Sequence, residues 1–94
     1  MLTIIARPTV DPTQLEKVKA AMLELVMQSR QEEGCLFYEL HQDKQQSNRF
    51  VFVETWQNKA LWKQHMEGEA IRTFNEKISG AIIGFELQEM TKIA

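Results

Sequence analysis

Two side chains in this sequence have the chemistry of a proton-transfer pair. His65 is the natural base, because an unperturbed imidazole titrates near pH 6.5. Glu54 stands between Phe52 and Trp56 in an alternating apolar run. A carboxylate there is costly to bury unless it is paired. It is therefore expected either to orient His65 or to be raised in pKa and act as the acid. Trp56 and Tyr38 can stack on a planar substrate or hydrogen-bond its oxygen, with Phe52 and Phe74 as apolar lining beside them. An apolar, aromatic-lined pocket with a base near neutrality can bind an aromatic diol, deprotonate it and shield the anion. Such an anion can supply an electron to O2 itself. Plainer roles stand beside these. His65 fits a core or helix-surface histidine, Glu54 an ion pair with Arg30 or Arg7 across a subunit interface, and Trp56 and Tyr38 simple core packing. His41, near a hairpin end, and Glu32-Glu33, at a helix end, read as solvated.

Other chemistries lack their residues. Cys35 is the single cysteine, so no internal disulfide forms, and it reads as a small core hydrophobe. With only His41 and His65 as histidines, a Cys/His zinc site lacks ligands. No G-x-G-x-x-G, Walker loop or G-x-S-x-G is present, and Ser29, Ser47 and Ser79 are the only serines. No cofactor or metal is therefore expected. Eleven Lys+Arg stand against 13 Asp+Glu, a net charge of −2 with no basic stripe, so neither nucleic acid nor an anionic membrane surface is an expected partner. No apolar run approaches the ~18 residues of a membrane span, and the start lacks a secretory signal pattern. A cytoplasmic location is expected. At 94 residues the chain fits a single domain, 1–94, burying roughly 65% of its unfolded surface.

The elements that position these residues follow from periodicity. Leu2–Arg7 reads as a strand. Asp11 suits a helix N-cap and Pro12 a first helical position. Leu15, Val18, Met22, Leu25 and Ser29 then recur at helical spacing, which predicts a helix over about 12–33, stopped at Gly34. Cys35–Gln42 and Arg49–Trp56 alternate as strands around the polar loop 43–48, an antiparallel hairpin. If residue 42 faces residue 49, one face carries Cys35, Phe37, Glu39, His41, Phe50, Phe52, Glu54 and Trp56. The other then carries Leu36, Tyr38, Leu40, Val51, Val53 and Thr55. A bulge in the long loop would slip this register and swap the faces of one strand. Asn58 caps a second helical stretch, broken at Gly68 and closed by Gly80, and Ile82–Met90 alternates as the last strand.

The order β-α-β-β-α-β is the split-βαβ, ferredoxin-like α+β pattern, a four-stranded antiparallel sheet with helices on one face. Both faces of the hairpin are rich in apolar residues, with Phe37, Phe50, Phe52 and Trp56 on one side. Helices cover only one face, the other would be a large apolar patch, and pairing the sheet faces of a homodimer would cover it.

The chain resembles the antibiotic biosynthesis monooxygenase (ABM) domain family of dimeric α+β barrel proteins. The resemblance rests on Ser29-Arg30-Gln-Glu32-Glu33-Gly34-Cys35, Tyr38, Phe50-Val-Phe-Val-Glu54-Thr-Trp56, Ala60-Leu61 and His65, in that order, across nearly the whole chain. It implies a dimeric ferredoxin-like fold. It also implies oxygenation of phenolic or quinol substrates by molecular oxygen without metal, flavin or haem. Haem-degrading members carry a Trp near His65, a haem-ligating His near Asn75 and an Asn near Ala6, none of which this sequence has. Another branch isomerises a small phosphorylated carbonyl metabolite related to autoinducer-2, and Glu54 with His65 suits that branch as well. A non-catalytic dimeric ligand-binding or stress protein is the third reading.

Overall fold

The computed structural model describes residues 1–94. Strand β1 (Leu2–Val10) is followed by a 3-10 turn (Pro12–Gln14) and helix α1 (Leu15–Ser29). Strands β2 (Cys35–Gln42) and β3 (Phe50–Trp56) form a hairpin, and helices α2 (Lys59–Glu67) and α3 (Glu69–Lys77) precede strand β4 (Ile82–Met90). All pairings are antiparallel and the sheet order is β2-β3-β1-β4, the expected ferredoxin-like arrangement.

Element boundaries differ from the sequence expectation where local chemistry intervenes. Strand β1 runs on through Pro8 to Val10. Its pairing with β3 stops at Ala6, so the missing N–H of Pro8 interrupts no bond there. The long helix predicted over 12–33 is a 3-10 turn followed by a shorter helix. Asp11 caps the turn by accepting from the Thr13 N–H. At the other end, Gln31 N–H bonds Gln28 O and Glu32 N–H bonds Ser29 O, a tightening that closes α1 before Gly34. Gly34 has φ +83°, and a Cβ there would lie 2.5 Å from Leu61 Cδ1. Glycine is thus required both for the turn and for its close approach to α2. Asn58 caps α2 through the Leu61 N–H, and the backbone turns extended at Gly68, splitting α2 from α3.

The hairpin register is the main correction. Tyr38 pairs with Glu54, Leu40 with Phe52 and Gln42 with Phe50, and a bulge lies between Cys35 and Phe37. This is one residue away from the expected register, so β2 presents its other face. Tyr38 therefore joins Phe50, Phe52, Glu54 and Trp56 on the helix-covered side, where all five are buried. Phe37, Glu39 and His41 lie on the opposite face with Val51, Val53 and Thr55. The expected cluster of Phe37 with Phe50, Phe52 and Trp56 on one face does not form.

The core lies between the inner sheet face and the helices. Ile4, Val10, Val18, Met22 and Trp56 are fully enclosed there, with Leu25, Val26, Phe52 and Ile78 nearly so. Cys35, expected in the core, packs half-buried at its edge. Met22 belongs to this core, whereas Met27 is exposed. No helix is long and apolar enough to cross a membrane.

Candidate active site

A cavity of about 310 Å³ opens between the inner sheet face and helices α2 and α3. Its walls are mainly apolar, with Phe52 from β3, Leu25 from α1, and Phe74 and Ile78 from the α3 segment. Phe74 meets Phe52 edge-on, ring centroids 6.4 Å apart. Met66 and Phe85 line the cavity yet are 40% and 58% exposed, which marks them as its mouth. Three ionisable side chains line it: Tyr38, Glu54 and His65.

His65 is one of two buried residues of α2, the other being Trp62. Its Nδ1 lies 2.6 Å from Glu32 Oε1. A carboxylate accepts, so Nδ1 carries the hydrogen and Nε2 holds the lone pair. Nε2 is buried and has no protein partner. Burial pushes the pKa of His65 below its usual 6.5, against the opposing hydrogen bond and charge of Glu32. The ring is therefore neutral at neutral pH, the form that acts as a base. Behind it, Glu32 stabilises the imidazolium once a proton arrives, the same division of labour as in Ser-His-Asp triads. The Trp56 ring lies 4.6 Å from the imidazole at 33°, and Tyr38 meets it edge-on at 5.6 Å.

Glu54 is 4% exposed and accepts a 2.9 Å hydrogen bond from the Trp56 indole N–H. Burial raises its pKa from 4.5 to about 7, against the Trp56 hydrogen bond and the adjacent Tyr38 side chain. Near neutral pH it is divided between acid and carboxylate. Tyr38 is also enclosed, and burial together with the Glu54 charge holds its hydroxyl protonated, far above the usual phenol range.

Five of the six residues expected at the site line this one cavity: His65, Glu54, Tyr38, Phe52 and Phe74. Trp56 does not. It is fully enclosed behind the wall, where it contacts both His65 and Glu54. Within the chain, Glu54 pairs with neither Arg30 nor Arg7. Arg30 Nε donates to the Tyr38 carbonyl at 3.0 Å, and Arg7 bonds Gln88 Oε1 at 2.5 Å. The residue that orients His65 is Glu32 rather than Glu54. Glu32 was expected in solvent as part of an acidic helix end, but the Gly34 turn against Leu61, one helical turn before His65, brings it inward. Trp62 and Asn75 also line the cavity, although neither was expected to. The signal for Trp62 was its spacing, three residues before His65 on the same helical face. His41 is solvated as expected, its side chain 58% exposed and paired with Glu39 at 2.9 Å.

The profile of the family described as "Antibiotic biosynthesis monooxygenase", ABM, matches residues 1–77. The chain belongs to the ABM family. It is 32% identical over 77 residues to YcnE of Bacillus subtilis (strain 168), provisionally named a monooxygenase. That match covers 82% of this chain and 81% of YcnE. It is also 32% identical over 68 residues to the uncharacterized protein sll1783 of Synechocystis sp., covering 72% of this chain but only 46% of that protein. Among solved structures, PA3566 from Pseudomonas aeruginosa superposes with a TM-score of 0.93 at 31% identity, covering 99% of this chain and 94% of that one.

Proposed function

We propose that this ABM protein is a cofactor-independent monooxygenase of a small quinol or phenolic compound, acting as a homodimer. The observation that carries the reading is His65, a neutral, buried imidazole backed by Glu32, with an unpartnered Nε2, on a residue that lines an apolar cavity. At about 310 Å³ the cavity sits at the small end of the ~300–1,000 Å³ common for small-molecule sites. It suits a compact aromatic molecule held between Phe52, Phe74 and Tyr38.

His65 Nε2 takes the phenolic proton, and Glu32 holds the resulting imidazolium. The phenolate gives one electron to O2, and the radical pair combines at a ring carbon bearing hydrogen, forming a C–O bond. Glu54 in its acid form protonates the distal peroxide oxygen, giving a hydroperoxide. The Glu54 carboxylate then takes the ring hydrogen as a proton, which breaks the O–O bond, leaves a carbonyl and expels hydroxide, and the His65 imidazolium returns its proton to that hydroxide, which leaves as water. Phenol plus O2 thus gives quinone plus water, and every electron that reduces O2 comes from the substrate. Water exclusion by the apolar walls protects the intermediate anion.

An isomerase of a phosphorylated carbonyl metabolite would call for cations at the phosphate, whereas no Lys or Arg lines the cavity. The dimer is supported by the outer sheet face, where Ile5, Val51 and Val53 are only half-buried and Phe37 is 42% exposed.

The test is oxygen uptake with a panel of reduced naphthoquinols and anthrone-like phenols. Uptake above the uncatalysed rate is expected, and His65→Ala should lower it by roughly 10²–10⁴-fold. Turnover that survives this substitution removes His65 as base. No uptake with any compound defeats the oxygenase reading and favours a non-redox or binding role.

A further inference from the structure

Three buried side-chain polar atoms in this fold have no partner: Ser29 Oγ, Trp62 Nε1 and His65 Nε2. Ser29 does not line the cavity, whereas Trp62 and His65 both do. They are the two buried residues of α2, at 8% and 3% exposure. At a spacing of three residues they are neighbours on one helix face. A phenylalanine at position 62 would keep an aromatic ring there without burying an unpartnered donor, which costs stability wherever nothing answers it. The two atoms are also chemically complementary. An indole N–H only donates, and the Nε2 of this tautomer only accepts.

We infer that the Trp62 indole N–H is the oxyanion donor of this site, clamping together with His65 Nε2 the single substrate oxygen that loses its proton. This rests on the phenol reading above and narrows it. A hydroxyl satisfies both atoms at once, giving its hydrogen to His65 and its lone pair to Trp62. A methyl ether has no hydrogen to give, and a ketone answers Trp62 alone. When the proton moves to His65, the oxygen keeps the Trp62 hydrogen bond. That bond strengthens as negative charge develops, so it favours the anion over the neutral phenol. Trp62 thereby makes a free phenolic hydroxyl the recognised group. Tyr38 from β2 and Glu54 from β3 face the same space, with Glu32 behind His65. All three are unchanged when only position 62 is altered.

The test uses 4-nitrophenol, whose phenolate is coloured, with 4-nitroanisole as the ether control, and reads binding rather than turnover. The parent protein should bind 4-nitrophenol as the phenolate and prefer it to the ether. Trp62→Phe should weaken phenolate binding by about tenfold and change ether binding by less than about twofold. Replacing Trp62 by benzothienylalanine, which substitutes sulfur for the N–H at nearly constant shape, should give the same result and covers the case in which Trp62→Phe fails to fold. An unchanged phenolate affinity in both variants, or an equal loss for phenolate and ether, overturns the role of Trp62. If the preference then persists in those variants but is lost in His65→Ala, the phenol reading survives without it. A parent protein with no preference for the phenol overturns both.

Discussion

The two faces of the sheet are built from alternate residues of the same strands, and they differ in nearly every respect. Along β3, Phe50, Phe52, Glu54 and Trp56 point inward and are buried, while Val51, Val53 and Thr55 point outward and are half-exposed. The inner face is aromatic, is closed by the chain's own helices, and together with them encloses the candidate site. The outer face is a mixture of β-branched residues with Arg7, Glu39, His41 and Glu86, and no helix covers it. The difference teaches that stability and the site belong to one face. The other face is the one left open for the second copy of the proposed homodimer.

Neighbouring residues offer the sharpest way to break this comparison. Phe52→Ser places a hydroxyl and a void in the core beside the cavity. It should cost about 4 kcal/mol, a large part of the ~5–15 kcal/mol that holds a domain together, and should be seen as a collapse of the denaturant midpoint. Val53→Asp, one residue on, should leave the circular dichroism spectrum of the fold intact and yield monomers in sedimentation equilibrium, because it sets two carboxylates against each other across the sheet faces. A Val53→Asp protein that unfolds, or that stays dimeric, would remove the distinction between the faces.

Glu54 is the exception on the inner face, a carboxylate among aromatics, and its titration measures what that placement costs. Its pKa rises from 4.5 to about 7 on folding, by burial. Below pH 4.5 the group is neutral in both the folded and unfolded states. Between 4.5 and about 7 mainly the unfolded chain ionises, so stability falls as pH rises, and above about 7 the full cost, about 3 kcal/mol, is present. His65 acts in the opposite direction. Its pKa is lowered by burial, so its contribution is present above pH 6.5 and is lost as pH falls through its folded-state value. Glu54→Gln keeps an acceptor for the Trp56 N–H and removes only the first effect. Denaturation at pH 8 should show a gain approaching 3 kcal/mol in order of magnitude, shrinking to nothing near pH 4. An equal gain at both pH values would mean that repacking, and not the buried charge, is responsible.

The sequence made the inner face legible where pattern and chemistry coincide. Alternation placed Phe52, Glu54 and Trp56 on one side of a strand, and helical spacing placed His65 toward the sheet, because both periods are fixed by backbone geometry. It failed where one residue of register or one turn of backbone decided the outcome. Gln42 pairs with Phe50 rather than Arg49, a one-residue difference already present at the loop, which puts Tyr38 on the site face and Phe37 on the other, and no residue pattern in the polar loop 43–48 marks it. Glu32 was hidden because its approach to His65 depends on the positive φ of Gly34 and its tight packing on Leu61. That is a contact between segments 33 residues apart. Trp56 was legible as an aromatic beside the site, but alternation alone does not tell a pocket wall from the layer behind it.

The smallest effect comes from the two histidines, each of which sits within hydrogen-bond reach of a glutamate. His65 and Glu32 are 2.6 Å apart with the imidazole fully enclosed, and His41 and Glu39 are 2.9 Å apart with the imidazole 58% exposed. Similar distances carry different weight, because solvent screens the outer pair and leaves it worth about 0–1 kcal/mol. His41→Ala, made in the monomeric Val53→Asp background, should therefore change the unfolding free energy by less than about 0.5 kcal/mol. The same substitution in the parent protein reads the outer face directly. If the dimer covers the hairpin end, His41 gains partners there and its removal weakens dimerisation. If His41 is equally silent in both backgrounds, the paired region is confined to the strand centres around Ile5, Val51 and Val53. A large loss in the monomeric background would mean that the outer face contributes to the fold of the single chain, against the division of labour between the two faces.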